Sequence, residues 1–100
     1  MGIISDILKD EYERLKLLEA QYITQLKTFP KGALSKRRRS GKFYLYLVFR
    51  ENKKVITQYV GKLDSDRAKE VIQRVQERKQ IEKKLQKVQK DLKELKRTLK

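Results

Sequence analysis

The sequence has no cysteine, no histidine and no tryptophan, and only one proline. Without cysteine there are no disulfides, and without cysteine and histidine there are no Cys/His zinc sites. Ser-His-Asp and Cys-His catalysis both need an imidazole to move the proton, so both are excluded. Asp, Glu, Tyr, Ser, Thr and Lys remain for chemistry, and none stands in a strong catalytic motif. The sequence therefore predicts a non-enzymatic protein with no cofactor, no metal and no small-molecule substrate. Long apolar runs are missing too. The longest, Tyr44 to Phe49, is far too short to span a bilayer. Acids at Asp6, Asp10 and Glu11 interrupt the N-terminal segment, so no signal peptide is expected. These features predict no integral membrane association and a cytoplasmic location, nucleoid-associated if the protein binds DNA.

What the chain has is positive charge. It carries 27 Lys+Arg against 13 Asp+Glu, a net +14 over 100 residues. The charge is concentrated. Residues 1–29 carry 4 basic and 5 acidic side chains, residues 30–62 carry 10 and 1, and residues 63–100 carry 13 and 7. A centre this basic attracts a polyanion at long range: nucleic acid, an anionic membrane surface or an acidic protein.

The chain reads as a single domain, 1–100, in three segments. Residues 5–29 predict an amphipathic helix, with apolar Ile4, Leu8, Tyr12, Leu15, Leu18, Tyr22, Leu26 and Phe29 spaced mostly three or four apart. Ser5 or Asp6 would cap it, and Phe29-Pro30 would end it. Residues 33–62 predict a basic three-stranded antiparallel meander, with turns at Ser40-Gly41 and Asn52-Lys53. Residues 64–99 predict one long helix, capped by Asp64, Ser65 or Asp66. The expected fold class is α+β: a β-meander flanked by an N-terminal helix and a long C-terminal helix, the two helices forming an antiparallel coiled-coil hairpin.

From Ile81 the apolar residues of the last segment follow a spacing of 4, 3, 4, 3, 4, the seam of a coiled coil. Arg78 stands where an apolar residue is due, which predicts a stutter or a change of packing partner. The C-terminal helix is longer than its N-terminal mate, so Leu92, Leu95 and Leu99 are expected to lack a partner within one chain. Leu85, Val88, Leu92, Leu95 and Leu99 are therefore the candidate oligomerisation residues of a homodimer or higher homo-oligomer.

With Asn52-Lys53 at the hairpin tip, Glu51 opposes Lys54, Phe49 opposes Ile56, Leu47 opposes Gln58 and Leu45 opposes Val60. Opposed residues share a face and faces alternate along a strand. Phe43, Leu45, Leu47, Phe49, Ile56 and Val60 then form an apolar face. Tyr44, Tyr46, Val48, Arg50, Val55, Thr57 and Tyr59 form the outward one. A two-residue turn at Ser40-Gly41 would add Arg37 and Arg39 to the tyrosine face; a bulge at Gly41 would add Arg38 instead. Guanidinium groups bind phosphate or guanine edges, and Tyr rings stack on bases or wedge against sugars. The candidate nucleic-acid-binding residues are Lys36, Arg37, Arg38, Arg39, Lys42, Tyr44, Tyr46, Arg50, Lys53, Lys54, Tyr59 and Lys62. A second basic feature, the lysine stripe Lys79, Lys83, Lys87, Lys90 and Lys93, falls on one face of the last helix.

Pro30-Lys31-Gly32-Ala33-Leu34, Gly41-Lys42-Phe43-Tyr44-Leu45-Tyr46-Leu47, Arg50-Glu51-Asn52-Lys53-Lys54-Val55 and Tyr59-Val60-Gly61-Lys62 follow a recurring pattern. In these motifs the chain resembles a group of small uncharacterised prokaryotic and phage proteins, which implies no particular activity. A weaker similarity is to the amino-terminal region of some insertion-sequence transposases. The order of three strands and a helix also resembles the arm-binding domain of tyrosine recombinases, whose sheet enters the DNA major groove. These similarities imply mobile-element or phage company and favour DNA over RNA. The expected function is non-enzymatic binding of nucleic acid, duplex DNA first, through the Tyr/Arg sheet face. The alternative is a coiled-coil protein–protein adaptor, or a phage-type inhibitor, that binds an acidic protein surface.

Overall fold

The computed structural model describes residues 2–99. The order is helix α1 (Ile3–Leu26), strands β1 (Ala33–Arg39), β2 (Lys42–Glu51) and β3 (Lys54–Lys62), and helix α2 (Asp66–Leu99). The strands form one antiparallel sheet in the order β1-β2-β3. The fold is α+β with the predicted elements. The described residues form two compact units, one of residues 29–78 and one of residues 2–28 with 79–99.

In the sheet unit, Leu45, Leu47 and Val60 are buried with Ala68 and Val75 of α2. Leu34, Leu63, Val71 and Ile72 pack around them. The apolar alternation of β2 thus meets the first three turns of α2, where Ala68 and Val75 are essentially inaccessible. Ser65 caps this helix: its Oγ accepts from the Ala68 N–H at 3.2 Å and donates to the Lys62 carbonyl at 2.6 Å. Of the three predicted capping residues, Ser65 makes the hydrogen bond and Asp66 supplies the acid of the first turn.

The segment leading into β1 is held by a long-range clamp. Arg78 Nη1 donates to the carbonyls of Pro30 at 2.6 Å and Gly32 at 2.9 Å. Arg74 lies 4.2 Å over the Phe29 ring. Gly32 has φ +96°, and a Cβ there would lie 2.5 Å from the Val48 carbonyl oxygen. Only glycine lets the chain pass this close to β2. Arg78, which interrupts the apolar spacing, marks a change of partner: before it α2 serves the sheet, and after it α2 serves α1.

In the helical unit, Leu15 of α1 is buried with Val88 and Leu92 of α2, and Tyr12, Leu18, Tyr22 and Leu95 pack against them. Ile3, Ile4, Ser5 and Leu8 share one groove with Thr98 and Leu99, and Glu11 and Leu15 share another with Asp91, Leu95 and Thr98. The two helices therefore run antiparallel. This corrects the expectation that Leu92 and Leu95 lack a partner within one chain. Leu92 and Val88 are buried against α1, Leu95 packs beside them, and Leu85 and Leu99 are half-buried. Unpartnered leucines were one of the grounds for assigning Leu85, Val88, Leu92, Leu95 and Leu99 to oligomerisation; for Val88, Leu92 and Leu95, α1 supplies a partner within the chain.

The limits of α1 also differ from expectation. Gly2, not Ser5 or Asp6, is the N-cap, and it makes no side-chain cap. The helix stops at Leu26, three residues before Phe29, as Lys27 and Thr28 turn back onto the carbonyls of Thr24 and Gln25. Proline limits the residue before it but not the earlier turn. Ile4, expected in the covered stripe, is 76% exposed.

Candidate nucleic-acid interface

The faces of the sheet are set by its two hairpins and one bulge. At the first hairpin Arg39 pairs with Lys42, Arg38 with Phe43 and Arg37 with Tyr44. Ser40 has φ +52° and Gly41 φ +78°, the two positive values of a two-residue type I′ turn. Of the two registers open in the sequence, this one sends Arg37 and Arg39 to the tyrosine face. Arg38 goes to the other face, 6.0 Å from the Phe43 ring.

The second hairpin follows the expected register from Glu51↔Lys54 to Leu47↔Gln58. Tyr46 still opposes Tyr59 as expected, but beyond that pair the register steps and Leu45 opposes Gly61. The expected Leu45–Val60 pair is therefore corrected by a β-bulge. Two consecutive residues of β3 span one step of β2. Val60 stays buried in the core, and Lys62, now opposite Tyr44, comes to the tyrosine face. Without the bulge it would have shared a face with Phe43.

Three rings form the centre of that face. Tyr46 and Tyr59 meet edge-on with centroids 5.4 Å apart, and Tyr44 lies 6.3 Å from Tyr59. The Arg37 guanidinium sits 4.9 Å over the Tyr46 ring, within cation–π range. This stacking holds the guanidinium plane while its N–H donors stay exposed. By register Arg37, Arg39, Lys42 and Lys62 surround the rings, with Arg50 toward the other end. All five cations are exposed, as is half of Tyr59. Among the described residues of the sheet the single acid, Glu51, pairs with Lys54 on the opposite face. The surface can therefore present several cations to one polyanion, with aromatic edges between them.

The twelve candidate residues thus divide. Arg37, Arg39, Lys42, Tyr44, Tyr46, Arg50, Tyr59 and Lys62 share one face. Lys36, Arg38 and Lys54 lie on the other, and Lys53 is in the turn. Phe43, expected in the core, is 48% exposed because it lies past the end of the packed cluster. With Lys42, Lys62, Leu63 and Asp64 it lines a notch at that end of the sheet. No pattern in the sequence placed Phe43 or Asp64 in a site. The Arg78 clamp was visible only as a break in the apolar spacing. The lysines of the α2 stripe are exposed, and Lys87 pairs with Asp91 at 3.4 Å. Among the described residues, no helix is long and apolar enough to cross a membrane.

A small basic α+β protein, with a Tyr/Arg-faced meander packed on a helix, is the class that fold and surface define. The chain belongs to a family described as a domain of unknown function (DUF6788), whose profile matches residues 5–70. That match takes in all but the first two residues of α1, the whole sheet and the start of α2. No curated protein and no solved structure matches the chain.

Proposed function

We propose that this protein is a non-enzymatic nucleic-acid-binding protein whose tyrosine face grips the phosphate backbone. One observation carries this reading: Arg37, Arg39, Lys42 and Lys62 surround three tyrosines on a face with no sheet acid. Phosphate contacts by such cations supply most of the affinity and fix the register of the protein on the strand. Duplex DNA is the favoured ligand over RNA. Three strands are about 10 Å across their backbones, commensurate with a major groove about 12 Å wide. The architectural likeness to recombinase arm-binding domains and the similarity to transposase amino-terminal regions support the same choice. They also support a mobile-element or phage setting.

The test is fluorescence anisotropy of labelled duplex DNA, single-stranded DNA and double-stranded RNA across a salt series. The log–log salt slope for duplex DNA becomes shallower by about 0.9 for each phosphate no longer neutralised. In Arg37→Ala/Arg39→Ala the slope falls accordingly and affinity drops, whereas Lys36→Ala on the opposite face leaves both near the wild type. Binding that vanishes at physiological salt and ignores Arg37 and Arg39 overturns the proposal.

The adaptor reading has one observation in its favour. Ile3, Ile4 and Ile7 are 78%, 76% and 57% exposed at one end of α1, an apolar surface suited to a protein partner. It predicts that truncation after Arg78 abolishes function while neutral substitutions at Arg37 and Arg39 do little.

A further inference from the structure

Phe43 is a large apolar ring on the core-facing side of the sheet, left 48% exposed beyond the end of the core, with the Arg38 guanidinium 6.0 Å from its centroid. Together with Lys42, Lys62, Leu63 and Asp64 the ring lines an open notch of about 520 Å³. That volume lies within the roughly 300–1,000 Å³ typical of small-ligand clefts. The walls are tied in place by backbone bonds. The Leu63 N–H donates to the Phe43 carbonyl at 3.0 Å, which carries the β2–β3 ladder one residue past Lys62. The Lys62 carbonyl accepts from both the N–H and the hydroxyl of Ser65, the cap of α2. Leu63 packs against the buried cluster. The notch is thus built on a strand end and a helix cap, with Phe43 and Leu63 as its apolar part.

Its polar groups are of two kinds. Lys42 and Lys62 also belong to the tyrosine face, so the basic surface runs from that face over the end of the sheet to the notch. Asp64 brings a carboxyl group, acceptor-only when ionised, into the same lining as an aromatic ring and two lysines. A flat heterocycle with adjacent N–H donors, attached to phosphate, satisfies all of these at once. The ring stacks on Phe43, the N–H groups donate to Asp64, and the flanking phosphates meet Lys42 and Lys62. Guanine, with its N1–H and exocyclic N2–H₂ side by side, is the base with that donor pair.

We infer that the notch at the end of the sheet holds one unpaired base of the bound strand, guanine in preference, stacked on Phe43 and hydrogen-bonded to Asp64. This rests on the nucleic-acid reading of the tyrosine face. It makes the preferred ligand a junction or end, where one strand leaves the duplex.

The experiment compares a blunt DNA duplex with the same duplex extended by a single unpaired G, A, C or T, at each strand end in turn. Stacking of a base on an aromatic side chain is worth enough for the G extension to tighten binding at least about fivefold over the blunt duplex. Phe43→Leu keeps apolar bulk without the ring. It loses that gain while its affinity for the blunt duplex and its circular dichroism stay at the wild-type level. Phe43→Tyr retains the gain, and Asp64→Asn flattens the preference for G over the other three bases. Equal binding of blunt and extended duplexes by the wild type overturns the inference but leaves the tyrosine face standing. So does a gain that survives Phe43→Leu. An equal gain for all four bases overturns the guanine assignment. Guanosine monophosphate that saturates the protein without any duplex overturns the strand-borne source in favour of a free nucleotide. Absence of binding to every duplex overturns both this inference and the function on which it rests.

Discussion

The two lengths of α2 serve unlike neighbours. Over Asp66–Arg78 the helix gives Ala68, Val71, Ile72 and Val75 to a cluster with Leu45, Leu47 and Val60 of the sheet. From Lys79 onward it gives Val88, Leu92 and Leu95 to a cluster with Leu15 of α1. The first cluster has five buried residues, two of them at 0% and 1% exposure; the second has three, none below 5%. The first faces a sheet, whose side chains stand in rows, and the second faces a single helix, which can cover only a narrow stripe. A charged helix thus finds a denser core where it meets a sheet than where it meets another helix. The candidate interface stands on the denser side.

Truncating one side chain in each core puts this difference under the greatest strain. Leu45→Ala should destabilise the sheet unit by about 2–5 kcal/mol, toward the upper part of that range because the site is 2% exposed. Leu92→Ala, at 7% exposure and beside fewer buried neighbours, should cost less. Amide hydrogen exchange resolved by residue separates the two. Leu45→Ala raises exchange in β2 and β3 most, and Leu92→Ala raises it most in α1 and in residues 79–99. Equal losses in both variants would contradict the difference in packing.

A gentler substitution addresses the sheet unit alone, through its second turn. Asn52 and Lys53 both have positive φ, +49° and +65°, so the second hairpin is a type I′ turn with lysine where glycine is favoured. Lys53→Gly relieves the left-handed backbone and should stabilise the sheet unit by about 1 kcal/mol, read as a shift in its denaturation midpoint. It should leave the helical unit unchanged.

The weakest response is due on α1. Arg14 donates to Glu11 through Nε at 3.0 Å and through Nη2 at 2.6 Å. This hydrogen-bonded guanidinium holds the Glu11 carboxyl below its usual range. A depressed carboxylate contributes stability above its unfolded pKa and loses it as pH falls through the folded value. Glu11→Gln should therefore slightly destabilise α1 at neutral pH, with the difference from wild type vanishing in acid. The pair is on the surface, where solvent and salt screen it, so the change in helix melting should also shrink with added salt.

The elements were legible in the sequence where pattern alone determines them. The β-rich runs 42–51 and 54–62, the Asn52-Lys53 tip and the long helix from Asp66 follow from propensity and periodicity. The pairing beyond Tyr59 was not legible, because a bulge adds a residue without a hydrophobic signature: Val60 is apolar in either register. The side taken by Arg37, Arg38 and Arg39 depended on whether Ser40 adopts a left-handed backbone, which serine neither demands nor forbids. The packing of Leu92 and Leu95 was misread because the excess length of α2 was placed at its C-terminal end, whereas its first turns pack on the sheet and α1 meets Leu92 and Leu95. Phe43 looked like core because alternation assigns a face but does not say where the covering helix stops.

β1 lies at the margin of the sheet, hydrogen-bonded to β2 along one side. Its other row of backbone N–H and C=O groups is a template on which another strand could grow. Four consecutive cations, Lys36 to Arg39, stand along it. Two copies meeting edge to edge would bring both sets of cations together, so the strand resists self-addition. Removing those charges would therefore favour edge-to-edge association of copies, an effect separate from any on the proposed nucleic-acid binding.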